Sequence, residues 1–309
     1  MLSDETIRRG GANSEDSSHL TFGRLLRFAR KPFRQQYRSL ASRVQSRFPS
    51  IPIPVRLPFG AWYLVGASDV DIRILFDGFE LSETLFIQKY LQPGMVVLDI
   101  GAHHGFYSLM ACKATGSTGI VHSFEPAPRE RACLRRNLRL NRCKQVSVHE
   151  FALGASCGTA TLFQAQTRSD GLNSLRLQDE VPSSTPIQVD VIPLDQFLQD
   201  HDLQHIDFIK MDIEGAELSV LQGAAGLLET SNRPVIFAEV SDLRTKAWGY
   251  RAVEILHLLE SKGFCWFEPD NDGWLHAADT KLDFFDQNFV AVPPEEMDRI
   301  RPFLRGSAS

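Results

Sequence analysis

From Asp16 to Asp69 the chain carries no acidic residue between its two ends, while nine Lys and Arg, from Arg24 to Arg56, fall inside that stretch. The net charge of −5 hides this: outside the stretch 24 basic residues face 38 acidic ones. A basic arm therefore precedes an acidic body, which argues against a long nucleic-acid footprint. No apolar run approaches the roughly 18 residues of a membrane-spanning helix. The start, "MLSDETIRRGGANSEDSSH", has no apolar segment of the secretory kind, which points to a cytoplasmic location. The five cysteines form no C-x-x-C pair, so they read as reduced thiols and not as a zinc ribbon or a disulfide frame. Repeats and heptads are absent as well. The 309 residues, 43% hydrophobic and 23% charged, suit a globular protein with an ample core.

Residues 1–19 are polar and expected to be disordered. In the arm, residues 20–54, an apolar stripe runs Phe33, Tyr37, Leu40, Val44, Phe48, the spacing of one helix face, stopped by "FPSIPIP". Its arginines would suit an anionic surface, but docking on the acidic body of the same chain is the preferred reading, because Phe33, Tyr37 and Phe48 need a surface and the body is nearby. Residues 55–79 suggest short strands. Residues 80–293 read as the main domain and 294–309 as a C-terminal tail. The main domain begins with a helix, "LSETLFIQKYLQPG", with Ser82 as a cap candidate. Buried strands then alternate with helices, interrupted by a hairpin, "GTATLF" and "QVDVIPL", around a long polar loop. That alternation predicts a doubly wound, mostly parallel sheet.

In such sheets ligands bind beyond the carboxyl ends of the strands. The first strand ends at Asp99-Ile-Gly-Ala-His-His-Gly105. A dinucleotide fold would want G-x-G-x-x-G, so that a pyrophosphate could sit on the helix start. Here Asp99, Gly101 and Gly105 put a carboxylate at the turn instead. That repels phosphate and suits a ligand with a positive group. S-adenosylmethionine, with an ammonium, a sulfonium and no phosphate, fits. The second strand ends in Glu125-Pro126, and a carboxylate there can accept both hydroxyls of a ribose. The third ends in Ala152 and Leu153, placed to flank an adenine. The fourth, "IDFIKMDIEGAELSVL", gathers Asp212, Glu214 and Glu217 around Gly215, and Glu239 ends the fifth. Glu214 and Glu217 would serve a helix dipole without any further role. Asp212 has no such simple explanation.

Taken in order, "GMVVLDIGAHHGFYSL", "FEP", "NLRLN", "PLDQF" and "DFIKMDIEGAE" resemble the FkbM-type methyltransferases, a branch of the class I S-adenosylmethionine-dependent enzymes, over residues of about 80–292. The resemblance implies a Rossmann-like α/β fold, a seven-stranded sheet with a reversed last strand. It also implies methyl transfer to a hydroxyl oxygen of a sugar, a glycan or a secondary metabolite. Asn usually stands in that family where this chain has His103, which either faces the cofactor or replaces an amide hydrogen bond. His104 is expected to point away from the site.

An alkyl hydroxyl is a poor nucleophile, so a general base is expected among the rim carboxylates, Asp212 first, then Glu239 and Glu214. A divalent metal held by the same carboxylates is the less favoured variant. His201 and His205 precede the fourth strand and fall at the wrong edge for a metal pair. In the polar loop, Asp170, Asn173 and Ser174 are candidates for contact with acceptor or cofactor. Two other classes stay open: a methyltransferase whose arm holds a nucleic acid or protein, and a non-catalytic binder of S-adenosylmethionine.

Overall fold

The computed structural model describes residues 51–66, 68–76, 79–165, 171–178 and 183–305, with Arg43, Val44 and Arg47, which are helical. Residues 1–19, the other members of the apolar stripe and Asp170 lie outside the described residues. Strands β1 (Ile53–Arg56) and β2 (Trp62–Val65) pair antiparallel. The rest of the segment expected to form strands is a helix, α1 (Asp69–Leu75), because Ser68 Oγ caps the Asp71 N–H at 3.1 Å and two aspartates occupy the first turn. Helix α2 (Leu81–Tyr90) starts at Glu80 and not at Ser82; Glu80 holds a left-handed backbone (φ 41°) and makes no side-chain cap.

Strands and helices then alternate as the apolar runs predict: β3 (Val96–Ile100), α3 (Phe106–Thr115), β4 (Ile120–Phe124), α4 (Pro128–Asn141) and β5 (Val146–His149). Next come β6 (Ala152–Leu153), β7 (Gly158–Ala165) and β8 (Ser184–Ile192), which form a separate three-stranded sheet around the expected hairpin. The chain continues through α5 (Leu194–Asp200), β9 (Phe208–Met211), α6 (Glu217–Gln222), β10 (Val235–Ser241), α7 (Asp242–Thr245) and α8 (Val253–Ser261). Strands β11 (Cys265–Pro269), β12 (Leu275–Ala277) and β13 (Asp286–Val292) and helix α9 (Met297–Ile300) complete it. The large sheet runs β12-β11-β13-β10-β9-β3-β4-β5, with β13 antiparallel to both its neighbours. The seven expected strands and the reversed last one are present. β12, only three residues long, adds an eighth at the edge.

Side chains alternate across this sheet, so two cores form. Val97, Phe208 and Phe237 face the layer of α2, α3 and α4, while Leu98, Ile209 and Ile236 face α5, α6 and α8. The two asparagines of "NLRLN" bolt the first hairpin to α4: the Leu64 and Trp62 N–H groups donate to Asn137 Oδ1 (2.9 Å) and Asn141 Oδ1 (2.7 Å). Because the chain turns back at β3 to place β9 on its other side, the crevice opens at the carboxyl ends of β3 and β9.

Two further expectations need correction. Cys112 and Cys143 form a disulfide, since α3 and the turn after α4 pack side by side, while Cys133, Cys157 and Cys265 stay free. The segment 294–309 is not a loose tail as far as residue 305: Ile300 is buried, Arg299 pairs with Asp207 at 3.1 Å, and Leu304 bridges to Leu275. Among the described residues no helix is long and apolar enough to cross a membrane.

Phe208 is 1% exposed in the central strand. Phe208→Ala should cost about 3–5 kcal/mol, read as a lower urea midpoint at unchanged slope. A loss below about 1 kcal/mol would contradict the core assignment.

Candidate active site

Two clefts meet at the carboxyl end of the sheet. The first is a narrow, partly enclosed slot. Gly101, His103, Glu125, Pro126, Ala152 and Leu153 line it, together with Asn173 and Ser174 from the polar loop. The second, which is roomier, is bounded by Glu80, Tyr107, Lys210, Asp212, Glu239 and Arg244 among others. Gly101, His103, Gly171, Asp212 and Glu214 belong to both walls.

Glu125 follows the last residue of β4, and the turn after β3 folds over it. The His103 N–H donates to Glu125 Oε2 at 2.7 Å and the Ala127 N–H to Oε1 at 2.9 Å. Each oxygen keeps a lone pair for a further donor. Burial raises the carboxyl to a pKa of about 7, against the pull of the His103 ring and these backbone donors. Phe124, Leu153 and Leu162 make the adjoining walls apolar. Ser174 donates to the Glu214 carbonyl at 3.0 Å, and Asn173 accepts the Ala165 N–H at 2.8 Å, so both side chains fasten the loop while lining the cleft.

Asp99 and Gly105 are placed differently from expectation. Asp99 is fully buried beneath the turn and lines neither cleft; Ser108 Oγ donates to it at 2.5 Å. The register explains this, since Asp99 lies beside Lys210 of β9 on the face covered by α3. Gly105 packs instead against α4, where a Cβ would come 2.5 Å from Leu134 Cδ1. Gly101 has a tighter constraint: at φ 85°, a Cβ would meet the Asp212 carbonyl oxygen at 2.0 Å. The close approach it permits is to the β9–α6 turn.

Asp212, Glu214 and Glu239 come together in the second cleft, each with one carboxylate oxygen within 4.8 Å of the others. Asp212 pairs with Lys210 at 3.1 Å, and Glu214, in the left-handed turn before α6, with Arg244 at 2.9 Å. Burial first, then Asp212, Glu214 and Glu217, push the Glu239 carboxyl well above its ordinary range, with Arg244 opposing. Glu217 is buried at the start of α6 and accepts the Ile213 N–H at 3.0 Å, a structural task. Burial pulls the Lys210 ammonium down, but Asp212, Asp99 and Glu80 together hold it above its usual pKa. Its Nζ also sits 4.7 Å from the centre of the Tyr107 ring.

Among the residues of this cleft that escaped the sequence reading of the site are Glu80, Tyr107, Arg244 and Asn288. The Tyr107 hydroxyl donates to Glu80. Burial and then Asp212 raise Glu80 to about 7, with Lys210 opposing. Only Glu80 had a local signal, an acid immediately before a helix; the others depend on tertiary placement. The histidine pair divides as follows. His103 adopts a left-handed backbone (φ 49°) and lines both clefts. His104 is buried, stacks on it with ring centres 3.9 Å apart, and has Nδ1 3.2 Å from Asp71 Oδ1, but it also lines the second cleft, against the expectation that it points away. His205 pairs with Asp207, while His201 packs on Phe197, away from both clefts.

The profile of the Methyltransferase FkbM domain matches residues 99–265. Over 201 residues the chain is 31% identical to the 31-O-demethyl-FK506 methyltransferase FkbM of Streptomyces tacrolimicus, covering 56% of this chain and 74% of that one. Over 198 residues it is 29% identical to Methyltransferase 1 of Beauveria bassiana, covering 56% and 76%. A solved structure of methyltransferase FkbM from Methylobacillus flagellatus is similar at 19% identity and a TM-score of 0.40, over 72% of this chain; the chain spans about half (52%) of that protein's length. The matched profile takes in more than half of the sequence, from the end of β3 to the start of β11, and with it the strand ends that build both clefts. This chain belongs to the FkbM methyltransferase family.

Proposed function

We propose that the protein is an S-adenosylmethionine-dependent O-methyltransferase, with the cofactor in the first cleft and a hydroxylated small molecule or glycan in the second. The observation that carries this reading is Glu125: a buried carboxylate, oriented by two backbone N–H groups, with acceptor capacity left over beside an apolar slot. That donor set fits a nucleoside, because a ribose offers two adjacent hydroxyls and an adenine needs an apolar, flat enclosure. Ala152, Leu153 and Leu162 provide the enclosure, and Gly101 and His103 border the side that opens to the second cleft. S-adenosylmethionine, when bound, supplies a methyl group on a sulfonium. Everything else falls to the chain.

The second cleft must orient a hydroxyl toward the shared wall and remove its proton. Asp212 stands in that wall and is held by Lys210, with Glu239 and Glu214 beside it. Carboxyls that bind protons near neutrality make effective proton acceptors at that pH, which is where burial has put Glu80. The curated relative from Streptomyces tacrolimicus carries an O-methylation in its name, which supports an oxygen acceptor here. Isothermal calorimetry with S-adenosylhomocysteine tests the first half of the reading. One site per chain is expected, and absence of binding would remove it.

Two outcomes follow from the geometry. If the ionised form of Glu125 holds the ribose, affinity for S-adenosylhomocysteine should rise with pH and level off above about 7. One unit below that value only about a tenth of the carboxyl is ionised, so affinity should fall by about tenfold at pH 6. Glu125→Gln should flatten the profile; an unchanged profile in that variant would contradict the ribose assignment. Asp212→Asn should reduce turnover on a responsive glycoside or macrolide alcohol by about 100-fold or more, with S-adenosylhomocysteine affinity within about fivefold of the parent. Full turnover would exclude Asp212 from the proton-handling set.

A further inference from the structure

Asp212 ends the run of β9, and Glu239 lies one step along on β10, since Ala238 pairs with Met211. The β9–α6 turn then brings Glu214 back toward both. Three carboxylates within 4.8 Å of one another repel unless something positive lies between or beside them. Lys210 answers Asp212 and Arg244 answers Glu214. Glu239 is served less well: its Oε2 is buried and has no hydrogen-bond partner among the described residues. Glu80 stands in the same cleft, while Asp69 and Arg73 on its lining balance each other. Among the described residues of this cleft, four carboxyls thus face two cations.

We propose that Asp212, Glu214 and Glu239 bind a divalent cation of the hard, oxygen-preferring kind, Mg²⁺ or Mn²⁺. The ligand set is all carboxylate, with no thiol or imidazole in the group, which suits those ions and not zinc or copper. One such ion offsets the repulsion among the three close carboxylates and gives the buried Glu239 oxygen a partner. The surrounding cleft leaves space for water and for a hydroxyl of an acceptor on the remaining positions. A cation there would make that hydroxyl easier to deprotonate. This last role rests on the methyl-transfer reading above; binding of the ion does not.

The experiment uses the full chain, stripped with a chelator and titrated with Mn²⁺ while free ion is followed by electron paramagnetic resonance. One Mn²⁺ per chain, displaced by excess Mg²⁺, is expected. Glu239→Gln and Asp212→Asn should each weaken Mn²⁺ binding by about tenfold or more. Thermal melting verifies that each variant is folded, and Glu214→Gln replaces either one that is not. No binding up to millimolar Mn²⁺, or an affinity unchanged in the folded variants, would overturn the site. Calorimetry with S-adenosylhomocysteine on the same samples separates the two readings. Mn²⁺ bound without nucleoside affinity would leave the cation site standing and discard the cofactor assignment, and the reverse would discard the cation site alone.

Discussion

The carboxyl end of this sheet concentrates carboxyl groups that are largely buried, and the structure around it is arranged by that constraint. Lys210 is the pivot. It lies in the central strand with Asp99 at the same level on β3, Asp212 two residues further on, Glu80 within electrostatic reach and the Tyr107 ring against its ammonium. Arg244 does for Glu214 what Lys210 does for Asp212. Buried ion pairs add little net stability, because desolvation offsets most of the attraction. Their worth here lies in fixing oxygen atoms at the junction of two clefts. Proton affinities follow from the same crowding: Glu80, Glu125 and Glu239 all hold protons more tightly than a carboxyl in water.

Much of the architecture was legible because apolar strands buried on both faces leave an unmistakable pattern. β3, β4, β9 and β10 each read as a mostly apolar run, and their parallel arrangement followed from the alternation with helices. Where the pattern failed, a local effect outweighed it. Ser68 and two aspartates start a helix in a stretch whose valine and isoleucines suggest a strand. β12 is too short to have a period, and the Cys112–Cys143 bond joins residues that only tertiary packing brings together. The C-terminal segment looks polar, yet Ile300, Phe303 and Leu304 pack on the core and Arg299 pairs with Asp207.

The site was legible to the extent that strand ends define it. Glu125, Asp212 and Glu239 stand where an α/β sheet puts its ligands, whereas Ala152 and Leu153, expected to end the third strand of that sheet, reach the cleft from the separate small sheet. What the sequence could not reveal is which way a side chain at such a junction points. Asp99 faces inward because its position in β3 shares a face with Lys210, and alternation fixes that parity. Several family-like stretches also turn out to be joinery. In "NLRLN" Asn137 receives a backbone N–H from β2 and donates to the His104 carbonyl, tying hairpin, helix and site turn together. In "PLDQF" Asp195 accepts the N–H groups of Gly226 and Leu227 at 2.6 and 2.9 Å. The His103 substitution has a backbone rationale. A left-handed residue is tolerated best as Gly, Asn, Asp or His, so the exchange of one for another keeps the turn.

The common wall has a thermodynamic meaning. Gly101, His103, Gly171, Asp212 and Glu214 border both clefts, and the Ser174 and Gln178 side chains attach the loop carrying Gly171 to the Glu214 carbonyl. Whatever a first occupant does to those five residues, a second occupant inherits. Linkage makes the influence equal in both directions: the factor by which an occupant of one cleft alters affinity in the other is the factor by which the reverse happens. A partition of this kind makes each cleft a sensor of whether the other is filled.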